Sequence, residues 1–210
     1  MSNNSREKIL SKIRQALTSK VPVPFEGSSS SENIFFASTE ELEIEFAENF
    51  TKLQGRFCFC NSFEEVVANL NELSETRKWN KLFCVENTLK ERLSTLGCSN
   101  IISSNLHDCD ASITTCESLV ARTGSILLSS ASESGRTVSV YAPVHICIAT
   151  TSQLVYDIKD SLKQITSKYG NKLPSLITLA TGPSRTADIE KTLVVGVHGP
   201  KEVFCFLIDS

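Results

Sequence analysis

Residues 56–86, RFCFCNSFEEVVANLNELSETRKWNKLFCVE, contain the pattern that decides the fold. RFCFC is a short apolar run typical of a strand, and Ser62 with Glu65 matches a capping box that predicts the start of a helix. Four apolar side chains then recur at helical spacing, at Val66, Val67, Leu70 and Leu73. KLFCVE supplies the next strand. A strand, a helix and a strand in this order predict a parallel sheet with helices on its faces.

The same alternation extends in both directions from this segment. A capping box at 38–41 predicts a helix to about residue 54, and residues 87–97 predict a helix capped at both ends. The second half adds a helix across 152–169 and the strand-like runs GSILLSS, VHICIAT, LITLAT, TLVVGV and EVFCFLI. These runs are apolar on both faces, which predicts central strands. Because only residues 198–201 join the last two runs, we predict a hairpin there and hence a mixed, mostly parallel sheet.

The N-terminal region has a different pattern. Residues 5–18 place apolar side chains on one face of an amphipathic helix. Two prolines and a serine run then predict an extended linker over residues 19–37. We therefore predict a helical arm and linker at 1–37, followed by one α/β domain at 38–210.

Charge and hydropathy exclude several classes of partner. The net charge is -3, and the 21 basic residues are scattered, so we expect no nucleic-acid partner. The longest uncharged apolar stretches are strand-sized, far below the roughly 20 residues that cross a bilayer, so we expect no membrane segment. The N-terminus has no continuous apolar core of a signal peptide, which predicts a cytoplasmic location.

Eight cysteines are present, and five of them lie in apolar strand-like runs: Cys58, Cys60, Cys84, Cys147 and Cys205. Free cysteine in such a position behaves as a small hydrophobe, so we predict reduced core residues. Cys58 and Cys60 are expected to point to opposite faces of their strand. The chain has no C-x2-C pair, so we predict no metal or iron–sulfur cofactor in this chain.

Candidate ligand-binding residues cluster in a few polar segments, most of which follow predicted strands. They are Arg122, Thr123, Gly124, Arg136, Ser184, Arg185, Thr186, Asp188, His198 and Gly199. Ligands of open α/β sheets bind beyond the carboxyl ends of strands, so we predict a pocket here for a small carboxylate or phosphate.

Arg185 is predicted to bind the anion, because a planar guanidinium can donate hydrogen bonds to two oxygens at once. Ser184 and Thr186 would donate hydrogen bonds, and Asp188 would fix the loop. The alternative is that the arginines are solvated or only tie loops together. His145, at the start of VHICIAT, is a further candidate, with a hydrogen-bonded structural role as its alternative.

Three stretches resemble the LUD-domain family of the lactate utilization protein C type: residues 116–130, 142–158 and 181–209. The resemblance extends over roughly 40–210, and GPSRTADIE followed by GVHGPKE is its most specific signature. Arg122 stands where many members have an acidic residue. The resemblance implies a three-layer fold of the NagB/RpiA/CoA transferase-like type, which glucosamine-6-phosphate deaminases and ribose-5-phosphate isomerases share.

The resemblance also implies a role in L-lactate utilization, the oxidation of lactate to pyruvate, beside iron–sulfur partner proteins that carry the clusters. Two functions stay open for this chain. One is a subunit that acts on or binds lactate or another small acid. The other is a non-catalytic accessory subunit or small-anion-binding protein of the same fold, so that the chain need not be an enzyme.

Overall fold

The computed structural model of the protein describes residues 3–18, 38, 40–187 and 193–209. The chain divides into two units, Met1–Phe36 and Ala37–Ser210, which are described separately. The first unit contains helix α1 (Asn3–Thr18), as the sequence predicts. The predicted linker at 19–37 lies outside the described residues, so the domain boundary there stays a prediction.

The second unit alternates strands and helices. Its helices are α2 (Leu42–Lys52), α3 (Phe63–Arg77), α4 (Asn87–Thr95), α5 (Val138–Tyr141) and α6 (Ile158–Tyr169). Its strands are β1 (Arg56–Cys60), β2 (Leu82–Phe83), β3 (Ile101–Ile102), β4 (Ala111–Thr114), β5 (Ser118–Val120), β6 (Ser125–Ser129), β7 (Val144–Thr150), β8 (Leu154–Val155), β9 (Ile177–Ala180), β10 (Arg185–Ala187), β11 (Leu193–Val195) and β12 (Glu202–Ile208). Short 3-10 turns lie at Leu106–Asp108, Ala121–Thr123 and Thr151–Gln153.

Within the described residues, six strands form the central sheet, in the order β1-β12-β7-β4-β2-β3. Each pairing recorded in it is parallel. The strands that flank α3, β1 and β2, belong to this sheet with β12, β7 and β4 between them. The predicted mixed α/β class with a mostly parallel central sheet is therefore confirmed.

Helices α3 and α4 cover one face of the central sheet. The Oγ of Ser62 accepts from the backbone N–H of Glu65 at 3.3 Å, which caps α3 as predicted. The core on this face joins α3 and α4 to alternate residues of the strands: Val66, Leu70, Leu93, Ile113, Ile146 and Phe204 are all buried. Each such side chain contributes about 1.5–3 kcal/mol by leaving water, so packing holds these helices in place.

The opposite face carries a four-stranded small sheet, in the order β8-β5-β6-β9, together with α2. Its β5–β6 and β6–β9 pairs are antiparallel, which gives the fold its mixed character. Phe46 and Phe50 of α2 have no exposed surface, and their stacked rings lie 5.3 Å apart. They pack with Leu119, Ile126 and Leu207. Helices, central sheet and small sheet thus form three layers.

The predicted hairpin between the last two apolar runs is wrong. β11 pairs with β10 in a separate two-stranded antiparallel ribbon. β12 instead inserts between β1 and β7, parallel to both. β9 and β11 are also not central strands, because β9 is an edge of the small sheet and Val195 of β11 is exposed.

All eight cysteines are free in the structure, and Cys60, Cys84, Cys147 and Cys205 are buried. The prediction of reduced core residues is confirmed for these four, while Cys58 is half-buried. The expectation that Cys58 and Cys60 point to opposite faces is wrong, because residues two apart on a strand share a face. Their Sγ atoms lie 3.8 Å apart.

Candidate functional site

A cavity of about 440 Å³, here named the amino-end cavity, lies at the amino ends of two central strands. His145 is the second residue of β7 and Val203 is the second residue of β12, and both line it. The cavity brings together five of the predicted site residues: His145, Ser184, Arg185, His198 and Gly199. The sequence prediction placed His145 at the start of a strand, which is confirmed, and the other four after the carboxyl ends of strands. The placement of those four is wrong, because β9 and β11 are not strands of the parallel sheet.

Close backbone packing holds the polar loop after β9. Gly182 has φ 77°, and a Cβ there would lie 2.5 Å from the carbonyl oxygen of Leu53. The N–H of Ser184 donates to the carbonyl of Pro200 at 2.9 Å, and the carbonyl of Ser184 accepts from Gly196 at 3.0 Å. The loop is therefore fixed against the end of α2 and against the turn that precedes β12.

Two exposed basic side chains lie at this cavity, Arg185 and His198. The Nη2 of Arg185 donates to the carbonyl of Leu53 at 2.6 Å. A guanidinium has five N–H groups, so Arg185 can keep this bond and still offer donors to a ligand. The backbone of Thr186 pairs with Val194 in the ribbon of β10 and β11. Asp188 lies outside the described residues, so its predicted role stays a prediction.

His145 is the one strongly buried titratable group that lines the amino-end cavity in the described part of the chain. Its Nε2 lies 2.9 Å from the hydroxyl of Thr114 on β4. Its Nδ1 is buried and has no hydrogen-bond partner among the described residues. Burial lowers the pKa of His145 from 6.5 to about 4, so the imidazole is neutral at physiological pH.

The segment from Arg122 to Gly124 forms a turn beneath α2, away from the amino-end cavity. The Nε of Arg122 donates to Asp157, the N-cap of α6, at 2.6 Å. Thr123 shares a hydroxyl hydrogen bond of 2.8 Å with Ser125. Gly124 has φ 57°, and a Cβ there would meet the backbone N of Phe50 at 2.5 Å. These contacts give all three residues a role in packing. None of them lines the amino-end cavity, so their predicted ligand binding stays a prediction.

Arg136 also lies apart from the amino-end cavity, contrary to the predicted grouping. It is exposed, and its Nη2 donates to the hydroxyl of Ser175 at 2.5 Å. The neighbouring residues Ser134 and Gly135 line a different cavity, at the other end of the small sheet. The antiparallel course of β6 and β9 explains this, because the loops that follow them leave the sheet at opposite ends.

The second cavity, here named the carboxyl-end cavity, has a volume of about 510 Å³. Thr114, Thr150 and Ile208 line it at the carboxyl ends of β4, β7 and β12. This is the edge where ligands of parallel α/β sheets bind. The sequence prediction did not identify this cavity, because Arg136 adjoins the lining residue Gly135 but does not itself line the cavity.

Glu86 is the buried centre of one wall of the carboxyl-end cavity. Its carboxylate accepts from the backbone N–H of Thr115 at 3.1 Å and from the hydroxyl of Thr115 at 2.7 Å. The hydroxyls of Ser132 and Ser134 donate to it at 3.0 and 2.6 Å. Glu86 follows directly on the run KLFCV, so an acidic residue at a strand end was the signal that could have identified it.

Glu117 forms a second paired carboxylate in the carboxyl-end cavity. It accepts from the hydroxyl of Tyr169 at 2.6 Å, the hydroxyl of Ser129 at 2.5 Å and the Nζ of Lys168 at 2.7 Å. Burial acts to raise the pKa of Glu117, but the hydrogen bonds from Lys168, Ser129 and Tyr169 outweigh it and lower the pKa. The carboxylate is therefore ionised and held in the wall.

The two cavities share a wall. Leu128 and Ser139 line both of them. Thr114 lines the carboxyl-end cavity and His145 lines the amino-end cavity, so their hydrogen bond crosses the partition. The partition thus contains a hydrogen bond between one hydroxyl and one neutral imidazole.

In the described part of the chain, no three His, Cys, Asp or Glu side chains come together as metal ligands. Among those residues, no helix is both long enough and apolar enough to span a bilayer. The predictions that this chain carries no metal and no cluster stay predictions.

Comparisons with known proteins give the family of this chain. The family model described as LUD domain matches residues 99–208. Lactate utilization protein C of Shouchella clausii is 38% identical over 102 residues, 48% of this chain and 44% of that protein. Lactate utilization protein C of Bacillus subtilis is 37% identical over 100 residues, 47% of this chain and 42% of that protein. The matches thus span less than half the length of these relatives.

The fold comparison agrees with the sequence comparison. The crystal structure of a DUF162 family protein from Deinococcus radiodurans superposes with a TM-score of 0.58 at 18% identity, over 82% of this chain and 99% of that one. This likeness shows the fold, and the family-model match covers more than half of the chain. The resemblance seen in the sequence is confirmed: the chain belongs to the LUD domain family.

Proposed function

We propose that this chain is a subunit of an L-lactate utilization system and that it binds a small carboxylate in the amino-end cavity. In this role it works beside iron–sulfur proteins that accept the electrons when lactate is oxidised to pyruvate. A cytoplasmic location is part of the same proposal.

The observation that carries this proposal is the position of the cavity within the family segment. Every residue that lines the amino-end cavity lies between 128 and 203, inside the matched range 99–208. Relatives that match about half of this chain are named Lactate utilization protein C. A cavity built wholly from the family segment is the site to which a shared small ligand is best assigned.

The chemistry of the cavity suits a small carboxylate. Arg185 and His198 offer donors at an exposed mouth, and Arg185 is oriented by its bond to Leu53. The loop backbone is fixed by its bonds to Pro200 and Gly196, so little ordering is needed when a ligand binds. A volume of about 440 Å³ accommodates an acid of lactate size with room for water.

The electron carriers are assigned to partner proteins because of cysteine spacing. Clusters are usually held by closely spaced thiolates, and this sequence has no C-x2-C pair. Removal of two electrons and two protons from lactate therefore needs an acceptor on another chain. The alternative function, an accessory or small-anion-binding subunit without catalysis, shares this requirement.

Growth of the source organism tests the proposal. Deletion of the gene is expected to abolish growth on L-lactate and to leave growth on pyruvate unchanged. Wild type and Arg136→Ala should restore growth on L-lactate, and Arg185→Ala should restore it poorly. Arg136 is a matched control, because it is also an exposed loop arginine but does not line the cavity. Normal growth of the deletion strain on L-lactate would refute the role in lactate utilization.

Purification of the tagged chain from cells grown on L-lactate tests the partners. We expect co-purification of proteins with the visible absorbance of iron–sulfur clusters, and L-lactate-dependent reduction of a dye by the assembly. Dye reduction that needs wild-type chain and fails with Arg185→Ala supports a substrate-binding subunit. Equal reduction with and without the chain supports the accessory function instead.

A further inference from the structure

His145 presents an unsatisfied polar atom at the amino-end cavity. The residue is fully buried, its Nε2 is engaged by Thr114, and its Nδ1 has no partner among the described residues. A buried nitrogen without a hydrogen bond is destabilising, because it has given up its hydrogen bonds to water and gained none in the protein. An aliphatic side chain of this face, as at Val203 on the neighbouring strand, would avoid that cost.

We propose that Nδ1 of His145 binds the oxygen on carbon 2 of the ligand, so that the amino-end cavity selects 2-hydroxy and 2-oxo acids over simple carboxylates. This inference rests on the proposed function, which places the carboxylate itself at Arg185. It adds a second contact, from a residue that lines the same cavity. It also names His145 as the residue that distinguishes lactate from a carboxylate that lacks an oxygen on carbon 2.

The neutral imidazole suits both forms of such a ligand. A neutral ring has one N–H and one lone pair, and the tautomer depends on which of them Nε2 uses with the Thr114 hydroxyl. If Thr114 donates to Nε2, then Nδ1–H donates to an oxo or hydroxyl oxygen. If Nε2–H donates to Thr114, then Nδ1 accepts from a hydroxyl. The tautomer with Nδ1–H therefore serves a hydroxy acid and its oxo product alike, because it can donate to the oxygen on carbon 2 of either one.

Access to Nδ1 requires a small adjustment of the wall. Ser139 and Val140, in the short helix α5, also line the cavity and are half-buried. Side-chain rotamer changes of this kind are common on ligand binding, whereas backbone movement is usually small. The same atom could instead be satisfied by one buried water. The test must therefore separate a ligand from a water.

Calorimetric titration with L-lactate, pyruvate and propionate measures the selection. Propionate lacks the oxygen on carbon 2 and is otherwise similar in size. We expect wild type to bind L-lactate about five- to tenfold more tightly than propionate, the value of one hydrogen bond. His145→Gln keeps an amide near the position of Nε2 and should lose the preference. His145→Asn keeps an amide near the position of Nδ1 and should retain part of it.

Nitrogen-15 NMR of the wild-type histidine rings gives an answer that does not depend on variants. The sequence has three histidines, and exposed His107 does not line the cavity, so its signals are an internal control. We expect L-lactate, but not propionate, to shift Nδ1 of His145.

Three outcomes are decisive. Equal affinities for L-lactate and propionate with an unchanged Nδ1 signal would overturn the inference and leave carboxylate binding intact, as expected if a water alone satisfies Nδ1. Absence of binding by any of these acids would overturn both this inference and the carboxylate site. A selective Nδ1 shift with a preference lost in His145→Gln supports it.

Discussion

Gly124→Ala tests the packing of α2 on the turn that precedes β6. The φ of Gly124 is 57°, a left-handed conformation that alanine adopts only at a cost of about 1–2 kcal/mol. The new Cβ would also lie 2.5 Å from the backbone N of Phe50 and 2.6 Å from the carbonyl carbon of Asn49. Backbone atoms of a helix cannot rotate away, so α2 would have to move off the turn.

The expected loss of unfolding free energy follows from these two effects. Forcing extra volume into a packed contact costs about 1–3 kcal/mol, so the total for Gly124→Ala is about 2–5 kcal/mol. Gly135→Ala is the matched control, because Gly135 has φ 62° and no atom within 4 Å of the added Cβ. Gly135→Ala should lose only the unfolding free energy that comes from the left-handed backbone conformation, about 1–2 kcal/mol.

Urea denaturation followed by circular dichroism measures the loss of unfolding free energy in each variant. The slope of that free energy against urea concentration should be the same in both variants and in the wild type. The difference between the two variants isolates the contact with α2. Equal losses, or a larger loss for Gly135→Ala, would refute the packing argument. Carboxylate affinity of any folded Gly124→Ala protein should be unchanged, since Gly124 does not line the amino-end cavity.

Four further results are expected. Arg185→Ala should weaken binding of L-lactate by about ten- to a hundredfold in calorimetry and should lower the free energy of unfolding by about 1 kcal/mol. A variant that melts at a much lower temperature but binds L-lactate with unaltered affinity would show that the loop has a structural role only. Glu117 has a pKa below its ordinary 4.5, so its contribution to stability is present above that pH and is lost as the pH falls through the lower folded pKa. The stability gap between wild type and Glu117→Gln should therefore close on acidification below about pH 4.5 in acid titrations of unfolding, and a constant gap contradicts the pairing with Lys168. Limited proteolysis should cut first within 20–33, and first cleavage inside 38–210 would move the domain boundary. Elemental analysis should find no stoichiometric iron or zinc in the pure chain, and a bound metal would contradict that prediction.

Local sequence patterns predicted the helices and strands better than they predicted which strands pair. The capping residue Ser62 and the helical spacing after it identified α3, because both signals lie within one turn of chain. The capping box at 38–41 was misplaced: Ser38 accepts from Glu40, and α2 begins after Glu41 without a side-chain cap. The partner of β11 could not be inferred from a short connection, because the chain after it turns at Gly196 and enters the central sheet.

The candidate site was predicted only in part, because local patterns identify polar segments but not which segments meet in the fold. Arg185 and His198 belong to polar segments that stand out against apolar runs, and the structure brings them together. The environment of Glu86 is assembled from the segments around Thr115 and Ser134, which are distant in sequence, so spacing gave no indication of it. The partnerless nitrogen of His145 is likewise a property of three-dimensional packing and not of any motif.

The position of β12 between β1 and β7 constrains the order in which the fold can assemble. While the chain is being synthesised, β1 and β7 emerge before residues 202–208 and lack the strand that joins them. Until then each presents an unpaired edge that can pair with another nascent chain. The contact between β1 and β12 also closes a loop of about 150 residues, which slows folding. Ribosome-bound chains that end before residue 202 should therefore need chaperone protection, and emergence of residues 202–208 should complete the sheet.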